Sequence, residues 1–141
     1  MSRYVVDASV AVKWLLPEPH DKAALTLLDS SNELLAPELI IAEVGSALWK
    51  RVRRDEMDPP KAQAALRALQ TSGLILRPMA PLIDAALELA CGLPHNIYDC
   101  VYAVLAVDCD CRLVTADAAF HTLVRRGPLA DHVVWVGSLP N

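Results

Sequence analysis

Two aspartates of this sequence follow short apolar segments, where they could form part of a ligand or catalytic site. Asp7 comes directly after the run Tyr4–Val6, and Asp117 is separated from the run Arg112–Thr115 by one residue. Ligands of open α/β sheets bind beyond the carboxyl ends of the strands, so two acids in these places can share a site. Aspartate is also a favoured N-cap, and either residue taken singly could serve only to begin a helix.

Two further acids, Glu43 and Asp99, lie on predicted helices. On a wheel that advances about 100° per residue, Glu43 lies opposite an apolar face and shares its own face with Lys50 and Arg54. Asp99 lies opposite a broad apolar face, beside the small residue Ala103. Aspartate is a poor residue for the middle of a helix, so we expect Asp99 to have a partner. Glu43 could instead simply face solvent.

Four carboxylates in one place would need a counter-charge, because neighbouring negative charges disfavour ionisation. His95, Lys13 or Lys50 could supply it. A hard divalent cation would do so better, and oxygen-only ligands suit Mg²⁺ or Mn²⁺. A zinc site of His95 with the cysteines is disfavoured, since their spacing fits no usual zinc pattern.

The composition is that of a protein with a large aliphatic core. The chain has 141 residues, of which 54% are hydrophobic and only 5% aromatic, and this length fits one domain. The net charge of −4 excludes a histone-like protein that binds nucleic acid by bulk charge. The four cysteines are expected to be reduced and mostly buried. We recognise no signal peptide or membrane span, which favours a cytoplasmic protein.

Short apolar strands alternate with longer helical segments, a pattern typical of an α/β fold with a parallel sheet covered on both faces. The strands are predicted at Arg3–Val6, Leu34–Ala36, Leu74–Arg77, Arg112–Thr115 and Val133–Val136. The helices are predicted over Ala8–Leu16, His20–Ser30, Pro37 to about Arg54, Asp58 to about Thr71, Pro81–Cys91, Ile97–Cys109 and Ala118–Arg125.

These residues, taken in order, resemble the PIN domains, and in particular the VapC toxins of toxin–antitoxin pairs. The resemblance runs from Tyr4 to about Val136, and its motifs are specific only together. They are Asp7-Ala8-Ser9, Glu43, Tyr98-Asp99 and Thr115-Ala116-Asp117.

The resemblance implies a single three-layer PIN-like domain over residues 1–141 and a Mg²⁺- or Mn²⁺-dependent endoribonuclease. It implies an acidic site of Asp7, Glu43, Asp99 and Asp117. On our interpretation Asp7 and Asp99 hold the main ion, while Glu43 and Asp117 complete its shell, orient the water or bind a second ion. The implied partners are an RNA substrate, an antitoxin protein and a second copy of the chain.

Two further features follow from the family pattern. Ser9 and Thr115 match its hydroxyl positions, which support the carboxylates. Many relatives carry another acid directly after the T-x-D motif, where this chain has Ala118. A second metal ion is therefore expected to bind weakly, or only together with substrate.

Cations and tryptophans could serve RNA binding. Lys50 and Arg54 share the face of Glu43 and could contact RNA phosphates, or they could be a solvated helix end; Arg125-Arg126 is a weaker case of the same kind. The tryptophans could stack bases, but their apolar positions favour packing in the core or in a subunit interface. They are Trp14, Trp49 and Trp135.

Other functions remain open on the sequence alone. A phosphatase with Asp7 as nucleophile would prefer a second aspartate two residues on, where this chain has Ser9. A phospho-acceptor receiver domain would need a lysine after its last strand, and none follows within Val133–Gly137. A metal-binding interaction module without turnover is the third alternative.

Overall fold

The computed structural model describes residues 2–139, and a parallel sheet of five strands lies at its centre. The strands are β1 (Ser2–Val6), β2 (Asn32–Pro37), β3 (Ile75–Arg77), β4 (Arg112–Thr115) and β5 (Val133–Trp135). Their order across the sheet is β3-β2-β1-β4-β5. The chain therefore builds outward from β1 in both directions, and β1 and β4 meet where the strand order reverses. Such a point is the usual ligand site of an open α/β sheet.

Seven α-helices connect the strands. They are α1 (Ala8–Leu15), α2 (Asp21–Thr26), α3 (Leu39–Arg53), α4 (Pro59–Gln70), α5 (Ile83–Gly92), α6 (Ile97–Asp108) and α7 (Ala118–Val124). Short 3₁₀ turns lie at Ala80–Leu82, Ala130–His132 and Val136–Ser138. Helix α1 packs against α2, α3 and α4, while α6 packs against α5 and three strands. The predicted three-layer α/β fold is confirmed.

The central strands are apolar because both of their faces are covered. Val5, Leu35 and Val114 have no exposed surface, whereas all three residues of the edge strand β3 are exposed. The middle of helix α6 is also buried, and Tyr102 there has no exposed surface. Within residues 2–139, no helix is long and apolar enough to cross a membrane.

Predicted boundaries lie within two residues of the observed ones except at the end of α2, and the role predicted for Pro37 was also wrong. Helix α2 ends at Thr26 instead of Ser30, since the Asp29 carboxylate accepts hydrogen bonds from the N–H and hydroxyl of Ser31 and forms a turn there. Pro37 ends β2 in register with Arg77 instead of opening a helix. The N–H of Glu38 donates to the Arg77 carbonyl at 2.9 Å, so the missing N–H of Pro37 does not interrupt the pairing with β3.

Candidate active site

Asp7 projects its carboxylate into the site instead of capping helix α1. Its backbone N–H donates to the Val114 carbonyl at 3.1 Å, which continues the pairing of β1 with β4. Its side chain makes no capping hydrogen bond. Instead Oδ2 accepts from the Ser9 hydroxyl at 2.5 Å and from the Thr115 hydroxyl at 3.1 Å. The carboxylate is therefore held by both predicted hydroxyl residues.

Each of these hydroxyl groups is oriented by a backbone N–H. Ser9 Oγ accepts from the N–H of Ala116 at 3.0 Å, and Thr115 Oγ1 accepts from the N–H of Asp117 at 3.1 Å. Because these donors approach the hydroxyl oxygens, the hydroxyl protons are directed to Asp7. The turn between β4 and α7 is thereby tied to the end of β1.

The surroundings of Asp7 disfavour its ionised form. Burial is the main cause, and the negative charges of Asp99 and Glu43 add to it. The hydrogen bonds from Ser9 and Thr115 act in the opposite direction, and the net result raises the pKa of Asp7 to about 7. Asp7, Glu43 and Asp99 therefore lie near enough to interact through their charges.

Asp99 lies in the first turn of α6 instead of its middle. Asn96 is the N-cap and accepts from the Asp99 N–H at 3.1 Å, while its amide donates to Asp99 Oδ2 at 3.3 Å. The partner expected for Asp99 is His95, whose Nε2 lies 2.6 Å from the same oxygen. The ring of His95 in turn packs against Phe120, with 4.9 Å between ring centroids.

Asp117 caps helix α7 and also faces the acidic cluster. Its Oδ1 accepts from the Phe120 N–H at 3.0 Å, so the capping role weighed from the sequence is real. His95, Asp99 and Asp117 each offer a ligand atom within 4.8 Å of the others. One residue thus begins a helix and contributes a carboxylate to the cluster.

Glu43 is held by a tyrosine from another helix. Its Oε1 accepts from the Tyr102 hydroxyl at 2.6 Å, which joins α3 to α6. Burial raises the pKa of Glu43, the Tyr102 hydrogen bond lowers it, and the charge of Asp99 raises it again. Burial and the surrounding carboxylates raise the pKa of Tyr102, so its hydroxyl stays protonated as a donor.

The positive charges considered from the sequence divide between structural and free positions. Lys13 is buried and pairs with Glu18 at 3.2 Å, so it does not neutralise the acids. Arg51 pairs with the same glutamate at 2.8 Å. Lys50 and Arg54 are exposed and form no ion pair with any residue of 2–139. They remain free to meet an external anion.

The three tryptophans have different surroundings. Trp14 is partly buried and donates to the Ala24 carbonyl at 2.8 Å. Trp49 is 54% exposed, so the prediction that it packs in the core of this chain is wrong. The Arg53 guanidinium lies 5.0 Å from its ring centroid. Trp135 is partly buried at the end of β5.

Two functional contacts were absent from the sequence interpretation. Tyr102 was assigned to neither core nor site, although it stands three residues after Asp99 and so near the same side of α6. Asn96 was not predicted to cap the helix or to contact the Asp99 carboxylate. Its type and its place before an apolar helix are nevertheless the usual signals of an N-cap.

The chemistry of this set of donors fits a hard divalent cation. Asp7 Oδ1 accepts no hydrogen bond from residues 2–139, and Asp117 uses only one oxygen as a cap. Carboxylates of Asp7, Asp99, Asp117 and Glu43, with His95 beside them, provide oxygen ligands and an excess of negative charge. This combination suits Mg²⁺ or Mn²⁺.

The PIN domain family model matches residues 4–125 of the chain. The chain belongs to the PIN domain family. Ribonuclease VapC1 of Mycobacterium tuberculosis is 34% identical over 120 residues, which span 84% of this chain and 88% of that protein. The family predicted from the sequence is confirmed, and with it the endoribonuclease class of enzyme.

Solved structures agree with this assignment. PAE2754 from Pyrobaculum aerophilum superposes with a TM-score of 0.72 at 26% identity, covering 97% of this chain and 85% of that one. VapBC2 from Rickettsia felis, bound to a DNA fragment from their promoter, has a TM-score of 0.67 at 20% identity and covers 94% of this chain and 98% of that chain. Both structures share the sheet and helix arrangement of this chain.

Proposed function

We propose that this PIN-domain protein hydrolyses RNA phosphodiester bonds with Mg²⁺ or Mn²⁺ and acts as the toxin of a toxin–antitoxin pair. The observation that carries the proposal is an acidic cluster in which ligand atoms of His95, Asp99 and Asp117 lie within 4.8 Å of one another, while Asp7 and Glu43 interact with the charge of Asp99. Burial and mutual repulsion raise the pKa of Asp7 to about 7, as expected of a cluster arranged for a cation.

Asp7 and Asp99 are the proposed main ligands, and Glu43 and Asp117 complete the shell. When bound, a divalent cation neutralises charge on the phosphodiester and lowers the pKa of the attacking water. Ser9 and Thr115 hold the Asp7 carboxylate, Tyr102 holds that of Glu43, and His95 and Asn96 hold that of Asp99. A helical alanine, Ala118, stands where many relatives have another acid, which supports weak or substrate-dependent binding of a second ion.

Lys50 and Arg54 are the proposed contacts to RNA phosphates. Both lie at the exposed end of α3, the helix that carries Glu43. An RNA chain that passes along this helix toward the acidic cluster would have the phosphates in contact with Lys50 and Arg54 neutralised.

An antitoxin is the proposed protein partner, as in VapBC assemblies such as the one from Rickettsia felis. The homodimer, the cytoplasmic location and the single domain over residues 1–141 remain predictions. Each can be examined independently of catalysis.

Cleavage of single-stranded RNA with Mg²⁺, Mn²⁺ or EDTA tests the proposal. We expect cleavage with either ion, none with EDTA, and none from Asp7→Asn or Asp99→Asn. Asp84→Asn, which changes an exposed acid on α5, is the matched control and should keep full activity. Metal binding without cleavage would support the interaction module, and hydrolysis of a phosphomonoester without RNA cleavage would support the phosphatase.

A further inference from the structure

A shallow cavity opens next to the acidic cluster, at the same end of the sheet. Its volume is about 210 Å³, and it is lined by Ala118, His121, Thr122, Trp135 and Ser138. Clefts for drug-sized ligands usually measure roughly 300–1,000 Å³. The cavity therefore suits a smaller group, on the scale of one planar ring system.

The cavity adjoins the acids through both the sheet and helix α7. Trp135 ends β5 in register with Thr115, which donates to Asp7. Ala118 directly follows Asp117, and the His121 N–H donates to the Asp117 carbonyl at 3.0 Å. Neighbouring strands are about 4.8 Å apart and one helical turn rises about 5.4 Å. A nucleotide next to the scissile phosphate can span such a separation.

Trp135 packs against two histidine rings, edge-on to His20 and tilted against His121. The ring centroids of His20 and His121 lie 5.7 and 5.9 Å from that of Trp135. Gly137 allows the backbone to approach the indole closely, because a Cβ at this position would lie 2.7 Å from Trp135 Nε1. The backbone and the two rings thus restrict the orientation of the indole.

The lining is suited to an uncharged aromatic ligand. Its residues within the described part of the chain include no carboxylate, lysine or arginine, in contrast to the neighbouring cluster. Trp135 is partly exposed, and its indole N–H donates to no group of residues 2–139. Thr122 and Ser138 add exposed hydroxyl groups at the rim. Stacking and a few polar contacts are the means by which single-stranded bases are bound.

We propose that this cavity is a subsite for the nucleobase next to the scissile phosphate, with Trp135 as its stacking surface. The subsite rests on the proposed ribonuclease function and adds a position at which that function selects its RNA. The scissile phosphate would be held through a divalent cation at the acids, whereas the neighbouring base is bound at Trp135.

The test is an abasic scan of a short single-stranded RNA that the parent protein cleaves, chosen from a random-sequence pool. At one nucleotide beside the cleavage point, removal of the base should lower kcat/KM about 5- to 150-fold, the equivalent of one base stacking on an aromatic ring. Trp135→Leu should lower kcat/KM by a similar factor on the intact RNA. Removal of the same base should then cause no further fall in this variant. Trp135→Phe should still show most of the fall in kcat/KM that removal of the base causes in the parent.

Trp49→Leu, which removes an exposed tryptophan elsewhere, is the matched control and should keep the abasic effect unchanged. If Trp135→Leu does not fold, His121→Ala must still weaken the abasic effect, since it opens one side of the subsite. An RNA cut at the same rate whichever base is removed would overturn the subsite but leave the ribonuclease function intact. Absence of any metal-dependent RNA cleavage would overturn both.

Discussion

Asp7 makes the metal-free protein sensitive to pH. Its pKa rises from 3.8 to about 7 on folding, so between these values the folded state keeps a proton that the unfolded state releases. The free energy of unfolding should therefore fall as the pH rises from about 4 to about 7, by up to a few kcal/mol. Urea unfolding in EDTA at pH 5 and pH 8 measures this fall.

Asp7→Asn should flatten that pH dependence and stabilise the metal-free protein at pH 8, because it removes a buried negative charge. Cleavage should be lost. The exposed-acid variant Asp84→Asn should behave like the parent in both respects. If Asp7→Asn is instead much less stable at pH 8, the carboxylate is a structural group.

The hydroxyl of Tyr102 positions Glu43. Tyr102→Phe should lower RNA cleavage about 10- to 100-fold, as is typical when a residue that orients a metal ligand is removed. It should also weaken Mn²⁺ binding in calorimetry, because the pKa of Glu43 loses the hydrogen bond that lowers it. Tyr98→Phe changes a hydroxyl that is 54% exposed and serves as the control. Unchanged Mn²⁺ affinity would contradict the positioning role.

The residue types of the site could be predicted, but the contacts between them only in part. Asp7 and Asp117 follow apolar strands, and a carboxyl at such a place is a local signal. The hydrogen bond from Tyr102 to Glu43 joins residues 59 positions apart, and no local pattern encodes it. Asp99 was treated as a mid-helix residue, although the correctly predicted start at Ile97 already placed it in the first turn, next to the N-cap Asn96.

At the scale of elements, we expect the exposed end of α3 to contribute to RNA binding. Replacing Lys50 and Arg54 by alanine should weaken RNA binding and leave Mn²⁺ affinity unchanged. Each lost phosphate contact on a single strand should reduce the slope of log binding constant against log salt concentration by roughly 0.7. The slope of the double variant should therefore be smaller by about 1.4. The choice of cleavage site should stay the same, because phosphate contacts carry no sequence information.

A fluorescence titration at several salt concentrations measures this slope. The control replaces Lys61 and Arg67 on α4, which are exposed and carry the same total charge. A slope equal to that of the parent would mean that the end of α3 is only solvated. Arg125 and Arg126 would then be the next pair to replace.

The helices and strands themselves could be predicted closely, since each strand is a short apolar run between polar turns. The errors lie where side chains compete with backbone pairing. Asp29 ends α2 early by bonding to Ser31, and Pro37 continues β2 because the pairing with β3 uses the N–H of Glu38, which donates to the Arg77 carbonyl. The surroundings of Trp49 could not be predicted, because exposure depends on which helices pack beside α3.

At the scale of the whole molecule, metal binding should stabilise the fold. Free Mn²⁺ at 100 times its Kd should add about 2.7 kcal/mol to the free energy of unfolding. The resulting rise in Tm should be larger at pH 8 than at pH 5, because protons compete for the Asp7 carboxylate. Thermal melts with Mn²⁺ and with EDTA measure it, and a double change of Asp7 and Asp99 to asparagine should abolish it. An equal rise in that variant would place the ion elsewhere.

Thr115 joins the two halves of the chain, since its hydroxyl reaches a carboxylate 108 positions earlier. During synthesis, Asp7 and Glu43 leave the ribosome long before β4 can pair with β1. A nascent chain therefore carries an incomplete set of acids, and its first strand lacks the neighbour that orients Asp7. The acidic site is therefore complete only after the segment that carries Asp99 and Asp117 has been synthesised and β4 has paired with β1.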